Sequence, residues 1–472
     1  MDYQNLLRRI FGMTLIVSLV ACGSPTTTNN QLTPTPIPPT QTPLPSWMTI
    51  QEGNNLPREL LVTKNTRDLA DNRLGSHWHT LWAGTPTSEL LSETLYLGVK
   101  RYRLFINEGD WDLVDWTKNE FVIDPTHEKF VNDLVDNDIE ITYNLIFWDK
   151  ATYPGGAGAP CHRFKTDEEI QHYLDFVKFT VHHFNGRVSA YEIWNEPDNN
   201  NCPQYIEVQN YINLVRRVAP VIREEDADAK IVVGANVLPD PNAQDYLFSL
   251  LTSDIMPLVD IISWHALYGH SPECDPGYYY GYPSLVERIK ETASANGFQG
   301  VYEVDEINWR PNTEPDEGGF CQHYGNVAFA KYWLRGIMMN LGLDVIAGNL
   351  RNHPGWEPAY TMVHHLSTVI EGNETVSIPV TLQTVAANPK YYSFSLANGD
   401  KLVAVWNDGI AVDYDDGIAS TLVVRDHSGW KAIGIDVLNG FEQELVSSSE
   451  GADLVIDNFM LKDFPILIRL SR

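Results

Sequence analysis

The stretch Tyr191-Glu192-Ile193-Trp194-Asn195-Glu196-Pro197 decides how this chain is read. Residues 188–193 form an apolar, β-favouring run, which predicts a buried strand. Pro197 cannot donate to a ladder and ends that strand. Glu196 is therefore held at a strand exit, next to an amide (Asn195) and an indole (Trp194). A carboxyl group there can act as a general acid, the amide can bind a hydroxyl, and the indole can stack on a flat apolar face. The plainer reading is a surface glutamate in a turn after a core strand, and only the surrounding pattern can decide between them.

That pattern is an alternation of apolar strands and amphipathic helices. Strands are predicted over 73–80, 100–106, 140–147, 188–193, 230–236, 259–265, 301–307 and 344–350. Helices are predicted between them, for example 167–184 with Thr166 as its N-cap, and 205–223 with Ile212, Val215, Val218 and Ile222 at helical spacing. Eight near-continuous apolar strands, each followed by a helix, predict a closed α/β architecture, the (β/α)8 TIM barrel. No Gly-x-Gly-x-x-Gly follows the first strand, which counts against a dinucleotide fold. Beyond residue 372 the helical period stops. Short strands at 391–396 and 401–406, with a two-residue turn at Asn398-Gly399, and further strands to 470, predict a C-terminal β-sandwich. Residues 47–63 are a candidate extra strand for it. The expected division is 51–372 for the barrel and 373–472 for the sandwich.

The first fifty residues read differently. Arg8 and Arg9 precede an apolar run over 10–20, too short and too early for a membrane span. Leu19-Val20-Ala21-Cys22 resembles a bacterial lipobox, which implies a signal peptide over 1–22, lipid on the Cys22 sulfur, and anchoring at an outward membrane face in the cell envelope. Residues 23–50 open Thr/Pro/Asn/Gln-rich and cannot bury a core, so they read as an extended tether.

The 472 residues carry 33 Lys+Arg against 62 Asp+Glu, a net charge of -29. Such a chain repels phosphate backbones, so nucleic acid is not an expected partner. Besides Cys22 there are Cys161, Cys202, Cys274 and Cys321, none at metal-ligand spacing. An exported protein can oxidise them. Loops after neighbouring barrel strands lie side by side, so the expected pairs are 161–202 and 274–321.

Active sites of such barrels lie at the C-terminal strand ends. Strand four supplies Asn195 and Glu196 there, strand six His265 and then Tyr268, and strand two Arg103. Strand three ends near Asn144, Trp148 and Asp149, and strand one carries His77, Trp78 and His79. Strand seven reads Glu303-Val304-Asp305-Glu306-Ile307-Asn308-Trp309. Two carboxyls facing each other across a barrel mouth are what glycosidic cleavage needs: one protonates the leaving oxygen while the other attacks. Alternation puts Glu303 and Asp305 on one face and Val304 and Glu306 on the other. Glu303 is thus a rival to Glu306, which the position nearest the strand end favours.

With these residues in place, the body resembles the clan A glycoside hydrolases, most nearly the β-xylosidase and α-iduronidase branch and neighbouring endoglycanases. The resemblance implies retaining hydrolysis of an oligo- or polysaccharide, with Glu196 as acid/base and Glu306 as nucleophile. It implies that Asn195 binds the sugar 2-hydroxyl, that Arg103 orients the nucleophile, and that His265 and Tyr268 line the site. Trp309, Trp148 and His79 complete the candidate substrate-binding set. No cofactor or metal is expected. Two departures stand out: Asp305 precedes Glu306 where Thr or Ser is frequent, and Tyr268 lies three residues after His265 rather than two. The Tyr278-Tyr279-Tyr280-Gly281-Tyr282 run and Trp356 are read as loop aromatics that either pack or stack on sugar. A non-catalytic sugar-binding lipoprotein on the same fold is the alternative. The sugar, endo or exo action, transglycosylation and the oligomeric state stay open.

Overall fold

The structure, a computed structural model, describes residues 45–77, 86–105, 114–115, 118, 120–149, 163–200, 204–307, 309–311, 324–350 and 355–472. Residues Pro45–Arg472 form a single compact unit. Eight parallel strands close a barrel: β1 (Leu74–His77), β2 (Arg101–Phe105), β3 (Glu140–Asn144), β4 (Ala190–Glu192), β5 (Lys230–Val237), β6 (Ile261–Ala266), β7 (Val301–Ile307) and β8 (Ile346–Leu350). The order around the barrel is β7-β8-β1-β2-β3-β4-β5-β6. Both faces of these strands are covered, so Ile231, Val233, Ile262 and Trp264 are buried. Interior space is tight: a Cβ added at Gly75 would lie 1.7 Å from the Gly348 carbonyl.

Each strand is followed by a helix: α1 (Thr87–Leu97), α2 (Pro125–Val135), α3 (Asp167–Phe184), α4 (Val208–Glu225), α5 (Pro241–Leu251), α6 (Pro276–Ala295), α7 (Asn326–Gly342) and α8 (Ala359–Val369). The expected start of α3 is found, with Glu169 N donating to Thr166 Oγ1 at 3.2 Å. The stripe of α4 buries Ile212, Val215, Val218 and Ile222 as its spacing predicts. Helix α6 starts eight residues before the expected 284, because Asp275 caps Tyr278 N at 3.0 Å and Pro276 suits the first turn. The tyrosine run is therefore helical rather than a loop. Tyr279 donates to Asp408 Oδ1 (2.8 Å) and Tyr280 to Asp408 O (2.9 Å), toward the sandwich.

The C-terminal part is two antiparallel sheets. One has seven strands in the order Arg58–Leu60, Phe441–Glu444, Lys431–Asp436, Ile466–Ser471, Lys401–Asn407, Pro389–Ser395, Glu374–Thr375. The other has four: Val380–Gln383, Ile418–Val424, Asp453–Leu461, Ser448–Glu450. The strand suspected in 47–63 is real: Arg58 pairs with Gln443, and Gln51 bridges Phe459. Residues 51–60, grouped with the barrel in the sequence reading, thus belong to a sandwich sheet. The hairpin at Asn398-Gly399 has a five-residue loop, not two, since the last pair is Ser395 with Lys401. The Asn398 side chain accepts from Asp400 N at 3.0 Å and Gly399 takes φ +90°, which widens the turn.

Barrel and sandwich share polar bonds under α7. Lys331 Nζ meets Asp463 Oδ1 at 2.6 Å, and Arg335 Nε donates to Asp463 O at 2.7 Å, with both side chains buried. Cys274 is disulfide-bonded. Cys22, Cys161, Cys202 and Cys321 lie outside the described residues, as do His79, the signal segment and most of the tether. Among the described residues no helix is long and apolar enough to cross a membrane.

Candidate active site

The chain leaves β4 through an irregular backbone. Trp194 (φ 70°) and Glu196 (φ 45°) both occupy the left-handed region, which costs a non-glycine residue about 1–3 kcal/mol each. The surroundings hold this turn in place. Tyr211 donates to Ile193 O (2.6 Å), Asn144 to Trp194 O (3.1 Å), and Trp194 Nε1 to Gln204 O (2.8 Å). Asp198 accepts from Asn236 Nδ2 at 2.8 Å, and burial pushes its carboxyl up to about 6. The result is that Asn195 meets Arg103 and Glu196 meets His265.

Arg103, fully buried on β2, organises the floor of the site. Its Nε donates to Glu192 Oε2 (2.6 Å), Nη1 to Glu306 Oε1 (3.0 Å) and Nη2 to Asn195 Oδ1 (2.7 Å). Burial alone would lower the pKa of the guanidinium, but the Glu192 and Glu306 carboxylates raise it instead. Burial likewise favours a protonated Glu192, yet Arg103 and Asn144 (Nδ2 to Oε2, 2.7 Å) hold it below the usual carboxylate range.

His265, at the end of β6, stands between the two mouth carboxylates. Its Nδ1 lies 3.1 Å from Glu196 Oε1 and its Nε2 3.7 Å from Glu306 Oε1. Burial lowers its pKa, but the Glu306 and Glu196 carboxylates beside it outweigh that and push it up, so the ring is an imidazolium at neutral pH. Glu196 is correspondingly held low, against burial, by His265 and by Asn199 Nδ2 at 2.8 Å. One oxygen of Glu196, one of Glu306 and a His265 nitrogen all lie within 4.8 Å of one another. These three are also the described side chains that could converge on a cation. The positive His265 ring between the two carboxylates accounts for the convergence.

The alternation expected along β7 does not hold. The pairing with β6 shifts register between Val304 and Glu306, a bulge that lets two successive side chains face inward. Asp305 (Oδ2 3.9 Å from Arg103, Oδ1 3.6 Å from His265) and Glu306 both reach the site. Val304 is not part of that inward set. Glu303 sits two residues further from the mouth, with its carboxyl against Gly348 on β8. Burial pushes Glu303 up to about 7, with Arg101 opposing.

The other expected site residues separate. Tyr268 stacks near His265, ring centroids 6.1 Å apart. Trp148 packs edge-on to Trp194 at 5.3 Å and under Arg163. Trp309 is wholly buried: its Nε1 donates to His270 O at 3.1 Å, and a Cβ on Gly336 of α7 would come within 2.7 Å of its ring. It props the loop after β6 and is not at the mouth. Trp356 is buried edge-on to Phe329. Glu192, Asn144 and Asp305 carry much of the network without an assigned role in the sequence reading. The signal for Glu192 was available, since a charged residue inside an apolar strand must be paired.

No protein-family model matches the sequence, and no curated protein sequence matches it. Solved structures do share the fold. A family 39 glycoside hydrolase from the gut symbiont Bacteroides cellulosilyticus WH2 aligns at TM-score 0.60 and 15% identity, over 86% of this chain and 82% of that one. A GH30 endoxylanase from Clostridium papyrosolvens C71 aligns at 0.54 and 13%, covering 87% and 98%. CelM2, a bifunctional glucanase-xylanase from a metagenome library, aligns at 0.55 and 13%, covering 88% and 98%. The class defined by the fold is therefore a closed (β/α)8 TIM barrel with a C-terminal β-sandwich, an architecture shared with these glycoside hydrolases. At these identities the likeness is one of fold, and the chemistry has to be argued from the site.

Proposed function

We propose that the protein is a retaining glycoside hydrolase acting on an oligo- or polysaccharide. The observation that carries this reading is the approach of Glu196 and Glu306, whose nearest oxygens lie within 4.8 Å. Carboxyl groups about 5–5.5 Å apart suit direct attack on the anomeric carbon, whereas inversion needs about 6.5–9.5 Å to seat a water between them.

In this reading Glu306, aimed by Arg103 Nη1, attacks the anomeric carbon. The glycosidic C–O bond breaks and the leaving oxygen takes a proton from Glu196. In the empty site that proton rests on His265, so it passes along the Nδ1–H to Glu196 Oε1 contact as the leaving oxygen draws on Glu196. Water then gives a proton to Glu196, attacks the anomeric carbon and frees Glu306. Asn195 is fixed by Arg103 and by Gln204 (Nδ2 to Oε1, 3.0 Å), which leaves an amide hydrogen for a sugar hydroxyl. The binding-lipoprotein alternative has no use for two carboxylates held this close at a strained turn.

The segment ahead of the body supports a further part of the reading: lipid on Cys22 and a tether over 23–50 that holds the enzyme outside the cell membrane. C22A should move the protein from the membrane fraction to the soluble one. For the chemistry, the protein is incubated with a panel of 2-deoxy-2-fluoro aryl glycosides and digested. A glycosyl adduct on Glu306 is expected. An adduct on Glu303 would overturn the assignment, and no adduct with no turnover of a broad glycan panel would favour sugar binding without catalysis.

A further inference from the structure

The carboxyl of Asp305 is buried, and among the described residues neither of its oxygens receives a hydrogen bond. Its neighbour Glu192 is satisfied on one side only. Glu192 Oε2 accepts from Arg103 (2.6 Å) and Asn144 (2.7 Å), while Oε1 has only a long contact from Ser263 Oγ at 3.4 Å. The two carboxyls adjoin on one guanidinium, with Arg103 Nε 2.6 Å from Glu192 Oε2 and Nη2 3.9 Å from Asp305 Oδ2, and each weighs on the protonation of the other. Two adjoining buried carboxylates cannot both stay ionised. Glu192, bonded to a guanidinium, keeps the charge, and Asp305, with no donor of its own, keeps the proton.

We propose that Asp305 is a positioning residue that acts as a neutral carboxylic acid: it donates to Glu192 Oε1 and so locks the chain Glu192–Arg103–Glu306 that aims the nucleophile. This rests on the hydrolase reading above and adds a residue to it. The bulge in β7 is what makes it possible, since it turns Asp305 and Glu306 inward together. The groups facing Asp305 are Glu192 on β4, Arg103 on β2, His265 on β6 and Tyr211 on α4. The two cations oppose the proton on Asp305; burial and Glu192 favour it and prevail. Loss of that proton at alkaline pH would put a second charge beside Glu192, and Arg103 would be drawn from Glu306 toward the pair.

D305N and D305S retain a donor at this position, and D305A removes it. With an aryl glycoside, D305N and D305S are expected within about tenfold of wild-type kcat, and D305A about 10²-fold lower with KM little changed. D305N should also keep its rate further into the alkaline range than the wild type. D305A matching the wild type, or D305N failing as badly as D305A, would overturn the proposal. A separate readout needs no substrate. The infrared carbonyl band of a neutral carboxylic acid should be present in the wild type at pH 8 and weaker in D305N, or in D305S if D305N does not fold. Identical bands would overturn the proton assignment. If the wild type turns over no glycoside, the hydrolase reading fails and the infrared comparison judges Asp305 alone.

Discussion

At the scale of single residues, charge is distributed by partners rather than by burial alone. Arg103 serves three acceptors in a rigid fork, and lysine cannot reproduce that geometry. R103K is expected to lose about 10²-fold or more in kcat with the fold intact, measured by steady-state kinetics beside circular dichroism. E196Q should lose about 10²–10⁴ on substrates with poor leaving groups and far less on dinitrophenyl glycosides, which need no acid. Equal losses on both would contradict the acid role. Glu303 gives a stability test. Its pKa rises from an unfolded 4.5 to about 7 in the fold, so the folded state binds the extra proton. The stability this contributes is complete below about 4.5 and is lost as pH rises through about 7, a total of about 3 kcal/mol. E303Q should therefore gain melting temperature relative to the wild type between pH 5 and pH 8. A constant difference across that range would contradict it.

At the scale of elements, the close approach of β7 and β8 is testable. A Cβ on Gly348 would fall 1.6 Å from Glu303 Oε1, and the buried glutamate has little room to withdraw. G348A should destabilise the barrel, and E303A should relieve it, leaving the double variant more stable than the sum of the two losses by about 0.5–3 kcal/mol. Additive losses in denaturant titrations would show that the contact is not what constrains the strands. Legibility from sequence also divides by element. The spans of α3 and β7 coincide with their sequence reading, since a Thr cap and a short run bounded by β-favouring Val, Tyr and Ile are local signals. The mouth residues Arg103, Asn195, Glu196, His265 and Glu306 could be listed because strand ends set their place. The bulge at Asp305 depends on pairing with β6 and leaves no periodic trace, so the facing of Asp305 was misread. The first turns of α6 were hidden because Tyr, Gly and Pro read as loop, while an Asp cap and contacts to the sandwich hold them helical. Trp309 was misplaced because a tryptophan after a strand end reads equally as a stacking platform or a prop.

At the scale of the whole molecule, barrel and sandwich are joined by buried charge. Lys331 and Arg335 on α7 find partners at Asp463, Gly409 and Asp408 in the sandwich. Removing those partners would strand two buried cations at about 3–5 kcal/mol each. We expect one calorimetric transition for the intact protein and no stable fold for residues 62–372 alone; two independent transitions would contradict this. The coupling matters for function because α7, which bears both cations, packs against β7, the strand that carries Asp305 and Glu306. In the proposed mechanism Glu196 and Glu306 act across a gap too narrow for an intervening water. The most direct test is proton NMR of the first-formed product from an aryl glycoside, read before mutarotation. The product is expected to keep the anomeric configuration of the substrate. A product of opposite configuration would contradict it.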